Sequence, residues 1–248
     1  MKPIILSAFL VVRNEENNLD RALKSLDFCD EIIIVDQEST DNTLKIARKY
    51  TNKIYHDKCW GYADPSRILG ESKCKGKWIL NLDADEEVQD KLKKEILSVI
   101  KNPKHDAYRI HRDFYYLGKF MKYTGQDDWV LRLHKKGAIR YVPDIHVCAV
   151  PNKGIKIGRL HYSLNHFAFN SIEEVIERTK RYTKIQAKTD KKYHKFPRNP
   201  FGILYLPILN FLYHYIVKRG FMDGKQGFIY AYMNFYYHIM IYRYLWFK

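Results

Sequence analysis

Cysteine is scarce in this 248-residue chain. The four present, Cys29, Cys59, Cys74 and Cys148, stand far apart with no C-x-x-C pair, which argues against a thiolate zinc site and against a disulfide framework. A reducing cytosol is the expected home. Long apolar runs are also missing. The C-terminal stretch Phe201 to Val217 falls short of the roughly 20 residues that a spanning helix needs, and it carries Pro207, Asn210 and His214. At the N-terminus only Lys2 precedes the apolar segment Ile4 to Val12, and no small-residue cleavage site follows it. That segment reads as a first core strand rather than a signal peptide. Neither an internal repeat nor a low-complexity tract is found. Acid is thin in one part of the chain only: residues 151–248 hold 17 basic and 5 acidic side chains and supply +12 of the net +15. The preceding residues are nearly balanced, so a globular head joined to a segment that meets an anionic surface is expected.

What is present is a repeating strand–helix pattern. Leu6 to Val12 is followed by a polar loop and then by Leu19, Ala22, Leu23 and Leu26 at helical spacing. The β-branched run Glu31 to Asp36 precedes a turn and a helix from Thr43 to Tyr50, and Ile54-Tyr55 reads as a third, short strand. A helix from Ser66 to Cys74 leads into the apolar run at Trp78, and an amphipathic helix covers Asp90 to Ile100. Such alternation predicts a parallel sheet. From Ala107 the texture changes to aromatic-rich β segments, 107–117 and 129–141, closed by the Lys135-Lys136-Gly137 turn. A capping box, Ser171-Ile172-Glu173-Glu174, opens a long helix to about Lys192 whose second half is densely basic. Phe196 to Pro200 breaks it, and an aromatic helix is expected over 227–247.

The run that starts at Trp78 ends in Asn81-Leu82-Asp83-Ala84-Asp85-Glu86-Glu87. An apolar strand that exits into alternating carboxylates would hold Asp83 and Asp85 at the carboxyl edge of an open α/β sheet, where ligands bind. Mg²⁺ or Mn²⁺ accepts one or two protein carboxylates while substrate phosphates and water complete its shell. D-x-D supplies that number. By itself the motif reads first as the charged end of a strand before a solvated helix.

Three spaced motifs add specificity: Val12-Arg13-Asn14-Glu15-Glu16 after one strand, Val35-Asp36 with Ser39-Thr40-Asp41-Asn42-Thr43 after a second, and Leu82-Asp83-Ala84-Asp85 after a later one. Together they resemble the family 2 glycosyltransferases of GT-A fold. Asp128-Trp129-Val130-Leu131-Arg132-Leu133, His161-Tyr162-Ser163 and Asp223-Gly224-Lys225-Gln226-Gly227-Phe228 are similar to the small bacterial subgroup that includes the lipopolysaccharide core β-1,4-glucosyltransferases. The resemblance implies an α/β fold, a Rossmann-like mixed sheet flanked by helices, with a C-terminal helical, basic and aromatic extension. A GT-A catalytic domain would span 1–165, with a nucleotide-sugar half over 1–100 and an acceptor half over 101–165. The extension, 166–248, would serve a membrane surface or dimerisation.

By position, the resemblance implies that Asp36 recognises the base, that Glu15 flanks the nucleotide pocket and that Arg67 lies near base or diphosphate. Asp83 would bind the ribose or a metal-bound water, and Asp85 would ligate Mn²⁺ or Mg²⁺ on the diphosphate. A leaving diphosphate needs positive charge where negative charge develops, and Arg67, Arg132 or His161 could assist the metal there. The general base of an inverting transfer is expected at Asp128 or Asp127, since the subgroup carries Glu-Asp where this chain has Gln126-Asp127-Asp128. His146, in Pro143-Asp144-Ile145-His146-Val147, occupies the place of a His-Glu pair in the subgroup, with Val147 replacing the acid. His134 and His146, beside β segments, read first as structural residues.

The expected function is therefore inverting transfer of a hexose from a nucleoside diphosphate sugar, UDP-linked by first choice, to a sugar hydroxyl of a lipid-linked or lipopolysaccharide acceptor. The expected location is cytoplasmic, peripheral at the inner face of the cell membrane. Cations ahead of an aromatic, apolar segment suit an anionic membrane surface; a homodimer arm would show the same composition. The rival from another class is a nucleic-acid or anionic-surface binding module without catalysis. It accounts for the tail but gives Asp36, Asp83 and Asp85 no task, so nucleic acid is not expected as a partner. Nucleotidyl transfer onto a sugar phosphate would need a Gly-rich, Arg-Lys loop early in the chain, which is missing.

Overall fold

The structure, a computed structural model, describes residues 3–126, 128–142, 149–193 and 201–246. In chain order the elements are β1 (Leu6–Val12), α1 (Leu19–Lys24), β2 (Glu31–Asp36), α2 (Thr43–Ala47), β3 (Ile54–His56), α3 (Asp64–Lys73), β4 (Trp78–Asn81), β5 (Glu86–Val88) and α4 (Asp90–Lys101). They continue with β6 (Ala107–Tyr116), β7 (Lys119–Phe120), β8 (Trp129–Lys135), β9 (Ile139–Tyr141), β10 (Ala149–Pro151), β11 (Ile157–Arg159) and β12 (Leu164–Phe169). Three helices follow: α5 (Ile172–Tyr193), α6 (Gly202–Leu212) with a π-helical turn at Tyr213–Val217, and α7 (Gly224–Trp246). The chain gathers into two compact units, residues 1–113 with 127–166, and residues 114–126 with 167–248.

In the first unit the sheet order is β3-β2-β1-β4-β8-β6. Strands β1, β2, β3 and β4 run parallel, whereas β8 is antiparallel to both β4 and β6. All of β1 is buried because both faces of a parallel sheet are covered, which is why Leu6 to Val12 is a continuous apolar run rather than an alternating one. Leu6, Ala8, Leu10 and Val12 pack with Leu19, Leu23, Leu92 and Ile96 on one face. Phe9 and Val11 join Ile33, Val35, Ile79 and Tyr141 on the other. Helix α3 lies close against that second face: a Cβ on Gly70 would stand 2.5 Å from the Phe9 ring.

The sequence places β structure over 129–141 with a turn at Lys135-Lys136-Gly137, and β8 ends at that turn. Past the turn the chain leaves the sheet, and β9 pairs with β10 in a separate two-stranded ribbon. The short strand β5 carries no apolar pattern of its own; it is fixed by antiparallel pairing with β12, Glu86 opposite His166.

In the second unit, Phe114, Tyr116, Met121, Ala168, Val175 and Met233 form the core. The start of α5 closes with the forward half of the capping box, the Glu174 N–H donating to Ser171 Oγ at 3.1 Å, while the Glu174 carboxylate reaches one residue further back than the motif predicts and accepts from Asn170 N–H at 2.9 Å. Asp223 is buried and accepts from the backbone N–H groups of Lys122, Tyr123 and Thr124. Gly227 is required by packing, since a Cβ there would lie 1.9 Å from the Gly220 carbonyl oxygen. The Asp223-Gly224-Lys225-Gln226-Gly227 motif thus has a structural task in this unit.

Candidate active site

The carboxyl ends of β1, β2 and β4 face one way, and the strands antiparallel to them begin or end at the same rim. Trp78 pairs with Lys135 and Leu80 with Leu133, so Arg132, midway along β8, sits level with the end of β4. His111 pairs with Trp129, which brings Arg112 beside Asp128; the Arg112 N–H donates to the Asp128 carbonyl at 3.0 Å. The β5–β12 pairing brings His166 to the same rim.

Two of the three motif loops brace each other. Asn14, with φ of 53°, accepts from Thr40 N–H through Oδ1 at 2.8 Å and donates its own N–H to Ser39 Oγ at 3.0 Å. The Glu15 N–H donates to Thr43 Oγ1 at 2.7 Å, and Glu16 accepts from Asn42 N–H at 3.0 Å. Asn tolerates the left-handed backbone that this turn needs. The brace fixes the loops after β1 and β2, and with them Glu15, whose carboxylate accepts from Asn18 Nδ2 at 3.0 Å. Asp36, buried at the end of β2, accepts from Ser39 N–H at 3.3 Å and lies 3.5 Å from His56 Nδ1.

At the end of β4, carboxylates and guanidinium groups alternate. Arg67, reaching from α3, donates to Asn81 Oδ1 at 2.7 Å and to Asp83 Oδ1 at 2.6 Å. Arg132 donates to Asp83 Oδ2 and to Glu86 Oε1, the latter at 2.5 Å. Arg112 donates to Glu86 Oε1 at 3.1 Å and to Asp128 Oδ2 from both Nε, at 2.7 Å, and Nη2. The order Arg67, Asp83, Arg132, Glu86, Arg112, Asp128 is one connected network. Burial alone would raise the Asp83 pKa, but Arg132, Arg67 and Arg112 outweigh it and hold the carboxyl well below the usual range. Glu86 pushes the Arg112 pKa up against its own burial. Asp85 is buried and lies 3.6 Å from His166 Nε2.

Asp36, Arg67, Asp83, Asp85, Arg132 and Asp128 are therefore brought to one rim. His161 is exposed, and its backbone N–H donates to Glu95 Oε1 at 2.9 Å on α4. His134 is fully buried, with burial lowering its pKa to about 4. Asp127 and the loop with His146 lie outside the described residues. Three rim residues were not singled out by sequence, Glu86, Arg112 and His166. The first was one acid among four in the run 83–87, and the other two sit in strands whose pattern reports only packing.

Among the described residues no group of three or more His, Cys, Asp and Glu is arranged to hold a metal by itself. Asp83 is engaged by Arg67 and Arg132, and the Asp85 carboxylate stands beside the His166 imidazole at the same rim. A carboxylate oxygen and an imidazole nitrogen are a donor set that would suit Mn²⁺.

Together the mixed sheet and its carboxylate-bearing rim make this a GT-A glycosyltransferase fold. It superposes on the mannosyltransferase PcManGT of Pyrobaculum calidifontis, solved with GDP-Man and Mn²⁺, at a TM-score of 0.58 and 12% identity over 98% of this chain and 87% of that one. It also superposes on S. aureus TarS 1-349 in complex with UDP at 0.51 and 15% identity, over 93% and 89%. Residues 7–160 match the model of glycosyl transferase family 2, and the chain belongs to that family. It is 32% identical over 241 residues to a glycosyltransferase of Rickettsia bellii, covering 90% of this chain and 80% of that one. It is 29% identical over 246 residues to the lipopolysaccharide core biosynthesis glycosyltransferase LpsC of Rhizobium meliloti, covering 92% and 90%.

Proposed function

We propose that this family 2 enzyme is an inverting, metal-dependent hexosyltransferase that uses a UDP-sugar and glycosylates a sugar hydroxyl of a lipid-linked or lipopolysaccharide acceptor at the inner face of the cell membrane. The observation that carries the reading is the juxtaposition at one rim of Asp36, the Asp85–His166 pair, Arg67, Arg132 and Asp128. Supporting the acceptor class is the likeness to LpsC along nearly the whole of both chains; supporting the donor is the buried acceptor carboxylate of Asp36, which suits the ring N–H of uracil.

In this reading the acceptor oxygen attacks the anomeric carbon as the bond to the diphosphate breaks, and Asp128 takes the hydroxyl proton. The electron pair leaves with the diphosphate, whose charge Arg67 and Arg132 face across the Asp83 carboxylate. When bound by Asp85 and His166, a divalent cation would supply Lewis-acid stabilisation of that charge. Glu86, fully buried between Arg112 and Arg132, fixes both guanidinium groups.

A screen of UDP-, GDP- and CMP-sugars for nucleotide release, with Mn²⁺ and with EDTA, tests the proposal. Metal-dependent release from one UDP-hexose is expected. Release from none, together with no thermal protection by any nucleotide, would overturn it.

A further inference from the structure

Eleven of the 21 exposed large apolar side chains among the described residues fall between Phe201 and Met222. They do not scatter around the helix. Phe201, Tyr205, Leu209, Tyr213 and Val217 form one i, i+4 row, and Leu204, Ile208, Leu212 and Ile216 form the row beside it. Leu204 is 69% exposed, Ile208 51% and Val217 67%. On an α-helix such a row walks about 40° round the axis per step. The π-helical turn at Tyr213–Val217 has more residues per turn and offsets part of that walk, keeping the lower end of the stripe toward the upper. A contiguous exposed apolar stripe of this length is a binding surface rather than ordinary surface texture.

Charge identifies what covers it. No Asp or Glu lies between Phe201 and Met222, and Lys218 and Arg219 stand at the end of the stripe. From residue 191 to 248 there are nine Lys and Arg and a single acid, Asp223, which is buried against the amides of 122–124. A second copy laid on the same surface would bring like charge against like, whereas an anionic lipid surface would be attracted. Tyr205 and Tyr213, half-exposed, have the amphipathic form that favours the headgroup layer. Among the described residues no helix is long and apolar enough to cross a membrane, so the surface suits lying on a bilayer rather than spanning it.

We propose that the face of α6 and its π-helical turn, Phe201 to Val217, is the membrane-docking surface of this enzyme, taking the headgroup region of an anionic phospholipid bilayer with Lys218 and Arg219 against the lipid phosphates. This deepens the proposed function, on which it rests for its purpose: a lipid-borne acceptor is met at the surface where it resides. The test needs neither donor nor metal, so its failure leaves nucleotide release untouched.

The full chain is floated with vesicles of phosphatidylcholine, with and without phosphatidylglycerol. Co-flotation with the phosphatidylglycerol vesicles is expected, weakened by added NaCl and reduced at least about tenfold in L204S/I208S/V217S. Because these side chains are exposed, the triple variant should keep the wild-type thermal midpoint; Lys218→Gln, which leaves the stripe intact, should weaken flotation on the anionic vesicles alone. Absence of flotation, flotation that the triple variant retains, or salt-independent flotation on pure phosphatidylcholine would each overturn the proposal. A wild-type dimer that the triple variant converts to monomer would overturn it in favour of a subunit interface.

Discussion

Arg112 grips one oxygen of Asp128 with two N–H groups while its own backbone N–H holds the Asp128 carbonyl. The double grip lands on Oδ2, so Oδ1 is outside the pair, and the carboxylate is oriented before any substrate arrives. Orientation of this kind is what a general base requires.

Asp128→Asn is the direct test of that role. The amide keeps an acceptor oxygen for Arg112 but takes no proton. Transfer should fall about 10²- to 10⁴-fold while donor affinity, measured by titration calorimetry with Mn²⁺, stays within about twofold. Equal loss of both would assign Asp128 a structural role.

The proposed metal pair, Asp85 and His166, makes a different prediction. Asp85→Ala and His166→Ala should each weaken UDP-sugar binding in Mn²⁺ about 10- to 100-fold and bring it close to the affinity measured in EDTA. Wild-type affinity in either variant would remove that residue from the metal site. Asp83→Asn should behave otherwise, because Asp83 already satisfies Arg67 and Arg132; its main cost should appear as a lowered thermal midpoint, from guanidinium groups left buried without full compensation.

How much of this was legible in the sequence follows from what each signal measures. Glu31–Asp36 and Asp90–Ile100 were readable to within a residue because burial writes a period onto a strand or helix. Asp36, Asp83 and Asp85 were readable because each follows such a strand. Arg112 and His166 were not, since their place at the rim depends on the β6–β8 and β5–β12 registers, which pair segments far apart in the chain. The turn at Lys135-Lys136-Gly137 was legible, but the partner that β9 finds after it, β10, was not, since alternation marks a strand without naming its neighbour.

Near the amino ends of the parallel strands, Glu31 gives a prediction for pH. Its buried carboxylate would be raised by burial, but Lys53, the Ser7 hydroxyl and the Lys75 N–H together hold it below the ordinary range. A depressed carboxyl contributes stability that is fully present above its unfolded pKa, near 4.3 or so (about the free Glu value), and is lost as pH falls through the lower folded value. Glu31→Gln should therefore cost about 1.5–3 kcal/mol at pH 7, and the gap to wild type should narrow as the pH is lowered from about 5. Urea unfolding at several pH values measures it; a gap independent of pH would mean that shape rather than charge matters at this position.

Gly227 supplies the sharpest stability test of the second unit. The Gly220 carbonyl oxygen would lie 1.9 Å from a Cβ at this position, and backbone cannot step aside as the tip of a side chain can. The first turn of α7 would have to lift away, loosening Asp223 from the amides of Lys122, Tyr123 and Thr124. Helix propensity alone would favour alanine by about 1 kcal/mol, so the sign of the effect separates the two forces. Gly227→Ala should destabilise by about 2–4 kcal/mol, the range of overpacking and a disturbed buried carboxylate combined. Unfolding followed by circular dichroism should show the loss, and an unchanged or raised midpoint would mean that this close approach does not exist in solution.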